Sequence, residues 1–137
     1  MEVEGGMAGA IGLGLVAFVG IAKPDVRADA DYLVDKAISL RIFPDESGKM
    51  NRNLVEAGGG LLVVSQFTLY ADSRKGRRPG FDRAAGPEQA RALYEYFIEA
   101  VRARHVPVQT GVFQAAMSVH FVNDGPVTII CDSERTL

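Results

Sequence analysis

Cysteine and histidine are scarce: Cys131 is the single thiol, and His105 and His120 are the two imidazoles. One thiol excludes an intramolecular disulfide, and no Cys/His set stands at metal-ligand spacing. Neither a structural metal nor a cofactor is therefore expected, and the composition suits a reducing cytoplasm. Charge of one sign is also lacking. The formal net charge is -2, so the overall balance does not advertise a nucleic-acid binder, and any such contact must be a local patch. Long hydrophobic runs are missing too. The longest, Ala8 to Ala22, is broken by Gly9, Gly12, Gly14 and Gly20, too short and too glycine-rich to span a membrane. No basic segment precedes it, which argues against a secretory signal. Its glycines stand in the wrong order for the G-x-G-x-x-G of a dinucleotide loop. No internal repeat, linker or low-complexity segment is found.

What remains is a chain of 137 residues, 47% hydrophobic and 23% charged, enough to bury one core and too short for a second domain. Two stretches organise it. Leu61 to Asp72 reads LLVVSQFTLYAD, a buried apolar run that hands the polar pair Ser65-Gln66 to its own end. Val122 to Thr128 reads VNDGPVT and places a turn between two β-rich runs, AAMSVHFV and VTIICD. Both put unusual residues at strand ends.

Around these, Val16, Phe18, Val19 and Ile21 read as a central strand. Leu33, Val34, Ala37 and Ile38 repeat with helical spacing and predict an amphipathic helix over one sheet face. Arg41 to Phe43 returns to extended structure, Pro44 to Gly48 has turn chemistry, and Lys49 to Asn51 reads as a hairpin arm. Gly58 to Gly60 leads flexibly into the signature strand. Pro87 opens a second helix whose stripe is Leu93, Tyr94, Phe97, Ile98 and Val101. Val106 to Gln109, Ala115 to Val122 and Val127 to Asp132 read as strands. The fold class is α/β, with layered mixed β-sheets and two helices packed on one side.

From Asp72 to Arg83 the chain carries Arg74, Lys75, Arg77, Arg78 and Arg83 against two aspartates. By composition this is a solvated loop or a phosphate clamp; arginines on a loop suit an RNA backbone without reading bases.

Hydrolytic chemistry through a hydroxyl nucleophile needs an adjacent base, and none is evident for Ser65 or Thr68. His105 lies at a helix end, and His120 reads as a partly exposed strand residue. Period two sends Ser65 and Phe67 to one face and Gln66 and Thr68 to the other. A bend at the strand end, or the use of main-chain groups, is required to gather them.

The motifs SQFTL-YAD and NDGPVT resemble the two signatures of the D-aminoacyl-tRNA deacylases. The resemblance extends through RIF and GKMN between Arg41 and Asn51, RKGRRPGF at Arg74 to Phe81, ALYEYF at Ala92 to Phe97 and QTGVF at Gln109 to Phe113. It covers nearly the whole chain in the family's order. It implies hydrolysis of the ester between a D-amino acid and tRNA, a proofreading activity, at a site built largely from main-chain groups in which the substrate's 2′-hydroxyl takes part. Ser65, Gln66, Phe67 and Thr68 are then the catalytic segment, with Thr68 not the nucleophile. Asn123, Gly125, Pro126 and Thr128 form the chirality filter, and Met117 packs on the adenine. Arg74, Lys75, Arg77 and Arg78 become tRNA contacts. The filter is expected to contain a cis Gly125-Pro126 bond, although only about 5% of X-Pro bonds in folded proteins are cis, and to be inserted into a partner subunit, which implies a homodimer. Partners are thus the aminoacylated tRNA end and a second copy, with neither membrane nor DNA.

One departure accompanies the resemblance. Aligned on the motifs, the chain starts late, so that residues 1–137 form a single deacylase-like domain without the family's first strand. That loss is expected to uncover a neighbouring strand such as Ala115 to Val122. A misplaced start explains it; otherwise the shortened chain is a catalytically silent tRNA-end binding module.

Overall fold

The computed structural model describes residues 2–3, 6–7 and 9–136. Two short strands, β1 (Glu2–Val3) and β2 (Gly6–Met7), precede β3 (Gly14–Val19), α1 (Arg27–Ser39), β4 (Phe43–Pro44), β5 (Met50–Arg52) and β6 (Gly60–Ser65). A 3-10 turn follows at Phe67–Tyr70, then α2 (Pro87–Ala103), β7 (Val108–Thr110) and β8 (Met117–Ser118).

β6 is the centre of a parallel sheet ordered β3-β6-β7. Its register pairs Gly14 with Gly60 and Val19 with Ser65 on one side, and Leu61 with Val108 on the other. A strand flanked and covered on both faces has no polar side, which is why Leu61, Leu62, Val63 and Val64 are consecutive and all buried. Leu61 and Val63 join Val34, Ile38, Tyr94, Phe97, Ile98 and Val101 beneath the two helices. Leu62 and Val64 face the other way, toward Ile11, Val16, Met117 and Val119. Both helices therefore lie on one face of a mixed β system, as the patterning predicts.

Local signals set the element ends. The Asp29 carboxylate accepts the Val26 N–H (2.8 Å) at the start of α1. Pro87 occupies the first turn of α2, where its missing N–H costs no hydrogen bond. In the β4–β5 hairpin, Asp45 accepts from the Ser47 and Lys49 N–H groups and the Asn51 amide. These bonds hold its carboxyl below the usual range, the Asn51 bond contributing most. Among the described residues no helix is long and apolar enough to cross a membrane.

Several expected strands are corrected. The one placed at Val106 to Gln109 lies at Val108–Thr110, and Ala115 to Val122 narrows to Met117–Ser118. Val127 to Asp132 forms no strand. Its β-branched residues meet no ladder among the described residues, and β propensity without a pairing partner does not make a strand. Residues 115–122 were also expected to lack a neighbour. There β8 pairs antiparallel with β1, Val3 opposite Met117 and Glu2 opposite Ser118, and stands at the edge of the β2-β1-β8 sheet with its other side open.

Candidate active site

Because β3 and β6 are parallel, their C-terminal ends share one edge of the sheet, the side on which parallel sheets present their ligands. The Gln66 N–H continues the ladder by donating to the Val19 carbonyl (2.8 Å). The chain then leaves the sheet through the Phe67–Tyr70 turn. This is the bend that period two required. Alternation stops at Ser65, and the Gln66 amide donates a short hydrogen bond to the Thr68 hydroxyl. Ser65 and Gln66 are half-buried, while Phe67 and Thr68 are exposed. The sequence-predicted catalytic segment is thus gathered into one turn at the end of the most buried strand.

Three residues outside that segment shape the turn. Gly20 lies beneath it; a Cβ there would come within 3.1 Å of the Gln66 carbonyl oxygen, 3.1 Å of the Leu69 Cβ and 3.3 Å of the Tyr70 ring. Phe81 meets Phe67 edge to face, with ring centroids 5.1 Å apart. The Arg83 guanidinium lies over the Tyr70 ring at 5.4 Å. Beneath the strand, the buried Tyr94 hydroxyl donates to the Val63 carbonyl (3.0 Å), and burial raises the phenol's pKa. The sequence motifs assign Tyr94 to the apolar stripe of the second helix, where it is buried, and give Phe81 no role and Gly20 that of an interruption. A glycine immediately after a strand, opposite a strand that ends in polar residues, was the available signal.

The basic loop begins where the turn ends. Asp72 and Gly80 exchange both main-chain hydrogen bonds, at 2.7 and 2.9 Å. Asp72 also accepts a two-pronged bond from Arg74, at 2.9 Å from Nε and 2.8 Å from Nη2. That fork brings the Asp72 carboxyl down to about 2, so the pair is complete at neutral pH and lost only as pH falls through that value. Arg74 is committed to this pairing, whereas Lys75 and Arg78 line a shallow cleft of about 210 Å³ with Asp72, Gly80, Asp82 and Arg83. Arg77 is exposed beside it.

The second motif forms its own turn. The Asn123 side chain donates to the Thr128 hydroxyl (2.9 Å) and accepts the Val127 N–H (3.3 Å), and Gly125 has φ 138°. No peptide bond among the described residues is cis, which corrects the expectation for Gly125-Pro126. Trans is the state that X-Pro bonds favour by about 0.5–1 kcal/mol, and here the Asn123 bonds close the turn with that bond trans. Met117 packs with Leu62 and Val64 on the face away from the helices. His105 is exposed just beyond α2 with φ 58°, and His120 is exposed.

Against known proteins, the profile of the D-Tyr-tRNA(Tyr) deacylase family matches residues 1–132. The chain is 60% identical over 135 residues to a D-aminoacyl-tRNA deacylase of Solibacter usitatus strain Ellin6076, covering 98% of this chain and 89% of that one. It is 58% identical over 136 residues to the protein of the same name from Symbiobacterium thermophilum, covering 99% and 90%. A solved structure titled c-Myc DNA Unwinding Element Binding Protein superposes with a TM-score of 0.87 at 39% identity, covering 93% of this chain and 87% of that one.

Proposed function

The chain belongs to the D-Tyr-tRNA(Tyr) deacylase family and is a D-aminoacyl-tRNA deacylase, a hydrolase, and on that premise we propose that the ester is opened at the end of β6 by main-chain groups and the substrate's own ribose. The observation carrying this reading is the turn itself. The N–H groups of Phe67 and Thr68 open a 3-10 turn and have no acceptor within it. They donate to the ester carbonyl oxygen as it gains charge. The 2′-hydroxyl of the terminal adenosine positions the attacking water. Water adds to the carbonyl carbon, the ribose oxygen leaves with a proton, and free D-amino acid and tRNA result. Thr68 is not the nucleophile: its hydroxyl accepts from the Gln66 amide, a donor that cannot take its proton. Ser65 and Gln66 hold the aminoacyl-adenosine end, with Met117 against the adenine.

Chirality is set by exclusion. The Gly125-Pro126 turn, closed by the Asn123 bonds to Val127 and Thr128, borders the pocket of a partner subunit and leaves no room for an L side chain. A homodimer is supported by large apolar side chains left exposed, among them Phe18 and Phe121, whose ring centroids lie 6.3 Å apart, and Val122 and Ile130. Arg77, Arg78 and Lys75 take phosphates of the tRNA, with Arg74 in reserve through Asp72. Such a substrate places the enzyme in the cytoplasm.

The test is release of tyrosine from D-tyrosyl-tRNA against L-tyrosyl-tRNA. Turnover of the D ester alone is expected; turnover of neither would return the silent binding module. An exclusion filter cannot reject what is smaller, so glycyl-tRNA is also expected to be hydrolysed. No glycine release at enzyme levels that clear D-tyrosyl-tRNA would remove exclusion as the basis of selectivity. Replacing Arg77 and Arg78 with alanine is expected to weaken tRNA binding roughly tenfold and to lower the slope of log affinity against log salt by about 1–2, leaving chirality preference unchanged. An unaltered slope would take the loop out of RNA binding.

A further inference from the structure

We infer that Phe81 is a positioning residue for the hydrolytic turn, a fixed abutment that aligns the main chain of Phe67 and Thr68 from within the basic loop. The inference rests on the proposed role of that turn. Phe67 is 55% exposed, too exposed for the core to fix its ring, and Phe81 supplies an edge-to-face contact at 5.1 Å.

Phe81 can act as an abutment because the chain around it is tied on both sides. On one side, Gly80 exchanges two main-chain bonds with Asp72. On the other, the Arg83 carbonyl accepts the Lys23 N–H (3.1 Å), and the Ala85 N–H donates to the Ile21 carbonyl (2.8 Å). Ala84 bridges Ala22 between these two bonds, and its N–H closes a turn onto the Phe81 carbonyl (3.1 Å). The Lys23 and Ile21 ties reach the segment just after Gly20, the residue under the hydrolytic turn. A second strap runs in parallel, from Arg83 over Tyr70 at the far end of the turn. The ring of Phe81 is thus referenced to the sheet edge, and Phe67 is referenced to Phe81. Because the same short segment continues from Arg77 and Arg78, a phosphate backbone seated on the loop and the ester seated on the turn share one frame.

Displacement of a reacting group by about 1 Å can cost 10²-fold in rate, whereas the apolar ring of Phe81 offers a phosphate neither charge nor hydrogen bond. The consequence is a split between kcat and binding. The experiment measures kcat and KM for D-tyrosyl-tRNA, and the Kd of uncharged tRNA, for the full chain with Phe81→Ala, Phe81→Leu and Phe81→Tyr. Phe81→Ala is expected to lower kcat roughly tenfold or more with Kd within about threefold, and Phe81→Tyr to restore kcat to within about threefold because the ring edge is kept. Should Phe81→Ala fail to fold, Phe81→Leu keeps most of the apolar volume without the ring and is expected to show the same loss. Unchanged kcat in the folded ringless variant, a loss confined to Kd, or no rescue by tyrosine overturns the inference. Wild-type enzyme assayed alongside separates the two levels: failure to release D-tyrosine at all refutes the hydrolytic reading itself, whereas normal wild-type turnover with an equally active Phe81→Ala refutes only the role of Phe81.

Discussion

Replacing Gly14 with alanine is expected to destabilise the protein by about 3 kcal/mol or more, larger than most single substitutions, and to lower Tm by roughly 10 °C. Gly14 and Gly60 face each other at the first rung of the β3–β6 ladder. A Cβ on Gly14 would lie 1.9 Å from the Gly60 carbonyl oxygen and 2.8 Å from its carbon and nitrogen. These are main-chain atoms that cannot rotate away, so the two strands must separate at that end. The same rung is anchored by the Gly60 N–H donating to the Leu13 carbonyl (3.0 Å), and that bond would be strained as well. A thermal melt followed by far-UV circular dichroism reads the effect, and a Tm within a degree or two of wild type would show that the strands do not approach this closely.

The second large effect is expected in rate. Gly20→Val places branched carbon where the Gln66 carbonyl, Leu69 and Tyr70 already stand within 3.1–3.3 Å of a Cβ. Gly20 sits at the open end of β3 and the turn above it is exposed, so the turn moves rather than the sheet. With a displacement of the order of 1 Å, kcat for D-tyrosyl-tRNA is expected to fall on the order of 10²-fold, with a smaller loss of stability than Gly14→Ala causes. Gly20→Ala, which requires a shift of only a few tenths of an ångström, is expected to fall between Gly20→Val and wild type. Equal kcat for Gly20→Val and wild type would mean that the position of the Phe67–Tyr70 main chain does not govern hydrolysis.

The parts of the fold that were legible in the sequence are those whose cause is local. Leu61 to Val64 announce a strand covered on both faces because no polar residue interrupts them, and they are buried as expected. The stripe of Tyr94, Phe97, Ile98 and Val101 announces α2 by its spacing, and these side chains are buried beneath it. The bend after Ser65 was legible as a requirement, since four polar and aromatic groups on alternating faces cannot converge on a straight strand. Illegible were features set by distant pairing. Ile129 and Ile130 have strong β propensity but are exposed and unpaired in the described chain, because propensity does not specify a ladder partner. The seat of the turn on Gly20 joins residues far apart in sequence, and its closeness is a property of the parallel register alone. Arg74 shows a different limit: in composition it counts as one more free cation, whereas Asp72 two residues earlier holds its guanidinium.

The parallel pairing of β6 between β3 and β7 also governs how the protein is made. Every rung joins residues far apart in the chain, Gly14 with Gly60 and Leu61 with Val108, so the loop-closure entropy of two long crossovers must be met before either ladder returns any energy. The central strand consequently waits for β7, which lies beyond α2 near the end of the chain, before it is flanked on both sides. A chain that has not reached β7 therefore holds both helices and a central apolar strand with β3 as its one flanking neighbour, its second edge left open.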